Sequence, residues 1–377
     1  MQIPFVDLAA QYHSIRDEID AAMADVIKSS AFIKGPQLAH FETAFAALHG
    51  GTGTAIGVNS GTDALHLAVR ACNLAPGDEV ISVPNTWIST LFAASYVGAA
   101  PVLVDIDPDT YQMDPAALAA AITPRTKAVI PVHMFGHPAP MDAIKEVIGD
   151  RDIRIIEDVA QAPLAETGGR TVGTIGDIGC YSFYPSKNLG CYGDGGAVLV
   201  NNPALLEPIR MLADYGQAVK FEHTMVGYNS RLDTLQAAVL QAKLPYLERW
   251  TEARRAAAES YNQALARLPI KRPIEAGNGR AVYHIYVIQL ADREDRDACL
   301  DYMRDHGVMC QVHYPESVHL QPCYAELGHA RGDFPVAEAL SARGLSLPMF
   351  PEITDEQIGY VADTLAAFLK SKNRIRA

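Results

Sequence analysis

Ile153-Arg-Ile-Ile-Glu157-Asp158, followed by Val159-Ala-Gln161, reads as an apolar strand that ends in two carboxylates. In an open α/β sheet ligands bind beyond the carboxyl ends of the strands, so these two acids mark that edge as a candidate site. Taken alone, the pair reads equally well as a solvated acidic turn or a helix cap. Outward from it, from about Thr54 to Val200, short apolar runs alternate with longer amphipathic stretches, the signature of a sheet covered by helices. The pattern predicts strands at 55–58, 79–83, 101–104, 128–132, 153–156, 178–182 and 197–200, several apolar enough to be buried on both faces. Seven strands make one large sheet. Helices are predicted at 61–71, 87–96, 115–121 and 140–148.

The chain has 377 residues, which at about 150 residues per domain favours two domains over one. A long charged helix is predicted from 232 to about 268, and it carries the chain out of the first domain. A smaller α+β pattern follows, with strands at 283–290 and 309–313 and helices at 293–305 and 355–369. The expected division is a large domain over 1–250 and a small C-terminal domain over 251–377.

Lys and Arg number 31 against 44 Asp and Glu, a formal charge of -13 that repels a phosphate backbone and argues against nucleic acid as a partner. The first twenty residues lack the basic and apolar runs of a signal peptide, so a cytoplasmic location is expected. The longest uncharged stretch, 80–104, contains Pro84, Asn85, Ser89, Thr90, Ser95 and Pro101 and reads as part of a soluble core, with no role for a membrane. Six cysteines without a CxxC pair suggest thiols in a reducing compartment. The spacing of Cys310, His313, His319 and Cys323 matches no common zinc arrangement, and Gly136 and Pro138 deny His133 and His137 a helical i,i+4 geometry, so no metal is expected.

Three more features lie at predicted strand ends. Ile178-Gly-Cys-Tyr-Ser182 runs into a tight turn that presents Lys187; a lysine among small and apolar groups loses hydration, its pKa falls, and the neutral amine becomes a nucleophile. Ser60-Gly61-Thr62 opens a helix, where free N–H groups favour a phosphate and Gly61 allows close backbone approach. Trp87 follows another apolar strand and could stack on a planar group. Each has an ordinary alternative: a surface lysine, a plain helix cap at Ser60 or Thr62, a core tryptophan. Together they supply an anion, a reactive amine, a phosphate cradle and a stacking ring at one sheet edge, which is what pyridoxal phosphate requires.

On these motifs the chain resembles the sugar-nucleotide aminotransferases of the DegT/DnrJ/EryC1/StrS family. The resemblance runs from Ile3-Pro-Phe-Val-Asp-Leu8 through Gly35, Phe41-Glu42, Ser60-Gly-Thr-Asp-Ala-Leu65, Glu157-Asp-Val-Ala-Gln-Ala162, Ser182-Phe-Tyr-Pro-Ser-Lys187-Asn-Leu-Gly190 and Gly193-Asp-Gly-Gly-Ala197. It continues in Gly227-Tyr-Asn-Ser-Arg231, His313-Tyr-Pro315 and Leu345-Ser-Leu-Pro-Met349. It implies an α/β fold of the aspartate aminotransferase type (fold type I), with a seven-stranded, mostly parallel sheet and a smaller C-terminal α+β domain.

The resemblance further implies that Lys187 forms the internal aldimine with pyridoxal 5'-phosphate and that Asp158 pairs with the ring nitrogen. Gln161 would contact the ring hydroxyl and Trp87 would stack on the ring. Gly61, Thr62 and Ser182 would hold the phosphate, with Asn229 reaching it from a neighbouring subunit of a homodimer with shared active sites. Tyr184, His313 and Tyr314 would line the sugar pocket, and Lys220 and Arg249 would pair with the diphosphate; read without the resemblance, the two cations are equally well solvated surface charge. The expected reaction moves an amino group from an amino acid donor, L-glutamate, through pyridoxamine phosphate to a keto-sugar nucleotide. The target is C3 of a dTDP-3-keto-6-deoxyhexose, in amino-deoxysugar, O-antigen or glycan biosynthesis. Related sugar dehydratases carry His in place of the lysine, which argues against that role here. The alternatives are C4 amination and a regulatory protein that binds the same ligands without turnover; no GxGxxG opens a helix after a strand, which disfavours a nicotinamide enzyme.

Overall fold

The computed structural model describes residues 1–376. Its centre is a sheet of seven strands: β1 (Thr54–Val58), β2 (Glu79–Ser82), β3 (Ala100–Leu103), β4 (Thr126–Val129), β5 (Arg154–Asp158), β6 (Ile178–Ser182) and β7 (Gly196–Val200). They lie in the order β1-β7-β6-β5-β4-β2-β3, and every neighbouring pair is parallel except the two made by β7. The carboxyl ends of the other six therefore share one edge with the amino end of β7. Successive residues of the central strands enter different cores: Ile81, Val129 and Ile155 face one, while Val80, Ala128 and Ile156 face the other. This two-sided burial explains why the strands read as unbroken apolar runs.

Helices cover both faces, among them α1 (Leu8–Ser14), α2 (Arg16–Ser29), α3 (Pro36–Leu48), α4 (Gly61–Ala71), α5 (Ser89–Tyr96), α6 (Pro115–Ala121), α7 (Met141–Ile148) and α8 (Leu206–Ala213). The single helix predicted over 232–268 is instead two, α9 (Thr234–Lys243) and α10 (Leu247–Ala264), joined by a 3₁₀ turn at Leu244–Tyr246. Pro245 is the cause, since it has no N–H for the helical ladder and its ring crowds the preceding turn. The strand predicted at 309–313 is reduced to an isolated bridge from Gln311 to Ser346. The pairing there is made by β10 (Tyr286–Gln289) and β11 (Gly344–Leu347), packed with α11 (Arg293–Asp305), α12 (Pro335–Arg343) and α13 (Asp355–Arg376). Ile3 belongs to the same core as Tyr286, Leu345 and Leu365, so the start of the chain returns to this C-terminal layer. No helix among the described residues is long and apolar enough to cross a membrane.

Candidate active site

The register of three strands builds one corner of the site. Gly196 pairs with both Val58 and Ser182, which brings the start of α4, the end of β6 and the start of β7 together. Ser60 adopts an extended conformation and caps α4, its Oγ accepting from the Asp63 N–H at 3.1 Å. Each close approach here needs a glycine on one side: a Cβ on Gly61 would lie 2.7 Å from the Ser182 Cβ, and one on Gly196 would lie 2.5 Å from the Ser60 carbonyl. The Thr62 and Ser89 hydroxyls are 2.8 Å apart. Backbone N–H groups at a helix start, with the Ser182 and Thr62 hydroxyls beside them, form a cradle suited to a phosphate.

At the centre of the edge, Glu157 and Asp158 point to opposite sides because successive strand residues do. Glu157 is fully buried and accepts the N–H groups of Gly173, Ile175 and Gly176 together with His133 Nε2, so it anchors a turn away from the site. Asp158 is the residue turned to the site. Its own N–H donates to the Pro131 carbonyl and its carbonyl accepts from the His133 N–H, which fixes the backbone. Its Oδ1 accepts the Ala160 N–H at 3.1 Å and its Oδ2 the Thr90 hydroxyl at 2.8 Å. Thr90 has one proton and donates it to Asp158, so Thr86, 2.8 Å away, is the donor to Thr90. Burial pushes the Asp158 pKa upward, while Thr90, Ala160 and then Lys187 oppose that shift by favouring the carboxylate.

Lys187 sits at the tip of the loop after β6. Desolvation lowers its pKa to about 8, opposed by attraction to the Asp158 carboxylate, and its amine makes no hydrogen bond or ion pair among the described residues. Two further imidazoles face it. His313 donates to or accepts from Ser346 Oγ at 2.9 Å, and burial followed by the nearby Lys187 charge lowers its pKa to about 4. Burial, followed by the same lysine charge, drives the His284 pKa well down, and its Nδ1 is 3.0 Å from Asn188 Oδ1.

 

Gln161 is buried beside these groups. Its Oε1 accepts the Phe135 N–H at 2.7 Å and its Nε2 donates to the Tyr314 hydroxyl at 3.2 Å. The Tyr314 ring lies 5.3 Å from that of Trp87, which is 56% exposed and forms an open wall. Tyr184, 55% exposed, follows Ser182, whose Oγ accepts its N–H at 3.3 Å. One chain thus gathers Gly61, Thr62, Trp87, Asp158, Gln161, Ser182, Tyr184, Lys187, His313 and Tyr314. These fit pyridoxal phosphate: a cradle closed by glycines, an unpartnered amine and a buried carboxylate with donors on both oxygens.

The remaining three predicted residues make no direct contact with this group among the described residues. Asn229 is exposed on a segment bridged to Asp214, and the adjacent Ser230 hydroxyl donates to Asp63 at 2.8 Å. Lys220 is exposed in the hairpin of β8 (Gln217–Val219) and β9 (Glu222–His223), its amine over the Phe221 ring. Arg249 is exposed on α10 over the Tyr246 ring. No hydrogen bond, ion pair or ring contact joins any of them to the Lys187 group among the described residues. Thr86, Thr90 and His284 escape sequence reasoning because isolated Thr and His residues carry no motif and only the fold brings them to Asp158 and Lys187; Asn188 lies inside the quoted Ser182–Gly190 motif, which assigns it no role.

Residues 13–366 match the DegT/DnrJ/EryC1/StrS aminotransferase family. The chain is 43% identical to the dTDP-3-amino-3,4,6-trideoxy-alpha-D-glucose transaminase of Streptomyces venezuelae, over 97% of this chain and 95% of that protein. It is 43% identical to the UDP-N-acetyl-3-dehydro-alpha-D-glucosamine 3-aminotransferase of Acidithiobacillus ferrooxidans, over 96% and 97% of the two chains. A pleiotropic regulatory protein of Geobacillus stearothermophilus is 41% identical over 98% of this chain and 99% of its own. The crystal structure of S. venezuelae DesV in complex with a ketimine intermediate superposes with a TM-score of 0.94 at 43% identity, covering 98% of this chain and 99% of the other. With the motifs, the sheet and the lysine site in agreement, the chain belongs to the DegT/DnrJ/EryC1/StrS aminotransferase family.

Proposed function

We propose that this protein transfers the amino group of L-glutamate to C3 of a keto-sugar nucleotide, with Lys187 as the catalytic amine. The observation that carries the reading is the unpartnered, desolvated Lys187 amine set against the buried Asp158 carboxylate. When bound, pyridoxal phosphate supplies an electron sink and a carrier for the amino group. Around it, Lys187 holds and moves the proton at the carbon that bears nitrogen, and Asp158 holds a positive charge on the ring nitrogen. Gly61, Thr62 and Ser182 bind the phosphate, and Trp87 and Gln161 orient the ring. His313, neutral above about pH 4, and Tyr314 border the sugar without adding charge.

Two relatives of equal identity are named for chemistry at C3, one on a dTDP sugar and one on a UDP sugar, which supports the position of amination more strongly than the nucleotide. Of the two, the dTDP-3-keto-6-deoxyhexose is the substrate we favour. In this reading Asn229 completes the phosphate site of a partner subunit, Lys220 and Arg249 meet the diphosphate, and residues 1–250 and 251–377 form two domains. The protein would work in the cytoplasm. The test is incubation with pyridoxal phosphate, L-glutamate and 3-keto or 4-keto sugars on dTDP and UDP, with amino-sugar products read by mass. A 3-amino dTDP product is expected; a 4-amino product alone removes the C3 assignment. The name of the Geobacillus relative favours one second reading, a regulatory protein that binds these ligands and yields no product with any of them.

A further inference from the structure

Lys243 is a buried cation that the proposed reaction does not use. It ends α9, is 1% exposed, and has no carboxylate within ion-pair distance among the described residues. Its Nζ donates to the Gly190 carbonyl at 2.7 Å and lies 4.4 Å from the centre of the Tyr192 ring. It is the sole donor to that carbonyl among the described residues. Burying an ammonium on such partners is costly, and a methionine of similar length would fill the space without that cost. What methionine cannot make is a directional bond to Gly190.

Gly190 closes the loop that carries Lys187. A Cβ at Gly190 would lie 2.2 Å from the Pro185 carbonyl, so the two arms of the loop touch backbone to backbone. Below that throat the Cys191 N–H donates to the Phe183 carbonyl at 2.8 Å. Seven residues before Lys243, two turns along the same face of α9, Gln236 accepts the Tyr192 N–H at 2.8 Å and donates to the Tyr192 carbonyl at 3.2 Å. One helix face therefore grips the returning arm of the loop at Gly190 and at Tyr192.

We propose that Lys243, assisted by Gln236, is a positioning residue that sets the Lys187 loop for attack on the cofactor aldehyde. The proposal rests on the assignment of Lys187 as the cofactor lysine. A displacement of about an ångström at a reacting group can cost on the order of a hundredfold in rate.

The experiment adds pyridoxal phosphate to apo wild type, Lys243→Met, Gln236→Met and Lys187→Ala, and traps covalent attachment with borohydride at successive times. Peptide mass spectrometry locates the label, equilibrium dialysis measures total bound cofactor, and thermal melting of the apo proteins reports folding. The expected result is slower labelling of Lys187 in Lys243→Met by about tenfold or more, with a smaller loss in Gln236→Met, while melting and total binding stay near wild type. A purely structural role would shift melting and leave the labelling rate alone. Wild-type labelling rates in both variants overturn the proposal; should Lys243→Met fail to fold, Gln236→Met decides alone. Absence of label at Lys187 in the wild type would instead overturn the assignment of Lys187.

Discussion

Lys187 can attack an aldehyde only as a neutral amine, and the fold makes that form accessible by lowering its pKa from 10.5 to about 8. Below that value the amine is protonated and inert, and above it the neutral fraction approaches one. The rate of cofactor attachment to the apo protein should therefore rise with pH through about 8 and level off well before 10.5, read by borohydride trapping across the range. Lys187→Ala should lose attachment and turnover and remain folded. Asp158→Asn should still bind the cofactor but react at least about tenfold more slowly, because one pKa unit of lost ring-nitrogen stabilisation is worth about 1.4 kcal/mol. Near-normal kcat in that variant would show that Asp158 does not act through the ring nitrogen. The strand ends marked both residues as candidates, but their roles toward the cofactor could be framed only through the family resemblance. The Thr86–Thr90 chain that ends in a hydrogen bond to Asp158 could not be read from sequence, because Thr90, on α5, meets the end of β5 only in the fold.

At the scale of elements, the cradle depends on backbones meeting where β1, β6 and β7 end. Gly61→Ala would drive a Cβ into Ser182 with backbone atoms close behind, so the helix start must shift. A stability loss of roughly 1–3 kcal/mol is expected from such overpacking, with weaker phosphate and cofactor binding, measured by urea unfolding and equilibrium dialysis. Strands buried on both faces announced themselves as apolar runs, so the sheet was legible to within two or three residues at each strand end. The break between α9 and α10 was not read, although Pro245 signals it, because the leucine spacing on either side runs on in phase. The stretch 309–313 packs Cys310 against the C-terminal core and makes one bridge, Gln311 to Ser346, while the ladder of Gly344–Leu347 is made with Tyr286–Gln289, so no strand forms there.

At the scale of the molecule, a chain of charge -13 must hold an anionic substrate by local groups, and the two cations proposed for it, Lys220 and Arg249, make no hydrogen bond, ion pair or ring contact with the Lys187 group among the described residues of one chain. The same holds for Asn229. The proposed site shared between two copies would account for this, and sequence could suggest it only through resemblance, since one chain carries no record of its partner. Mixing Lys187→Ala with Asn229→Ala subunits should restore activity to roughly a quarter of wild type, because half of the dimers would hold one intact site of two. No recovery on mixing would place Asn229 in its own chain's site or outside any site. The central claim, that Lys187 and pyridoxal phosphate together accept an amino group, is tested most directly by visible absorbance of the protein with pyridoxal phosphate before and after L-glutamate. A band from the lysine-bound cofactor that disappears on addition of glutamate, with 2-oxoglutarate released, is the predicted result. A protein that forms no such band, or whose band ignores every amino donor, would contradict it.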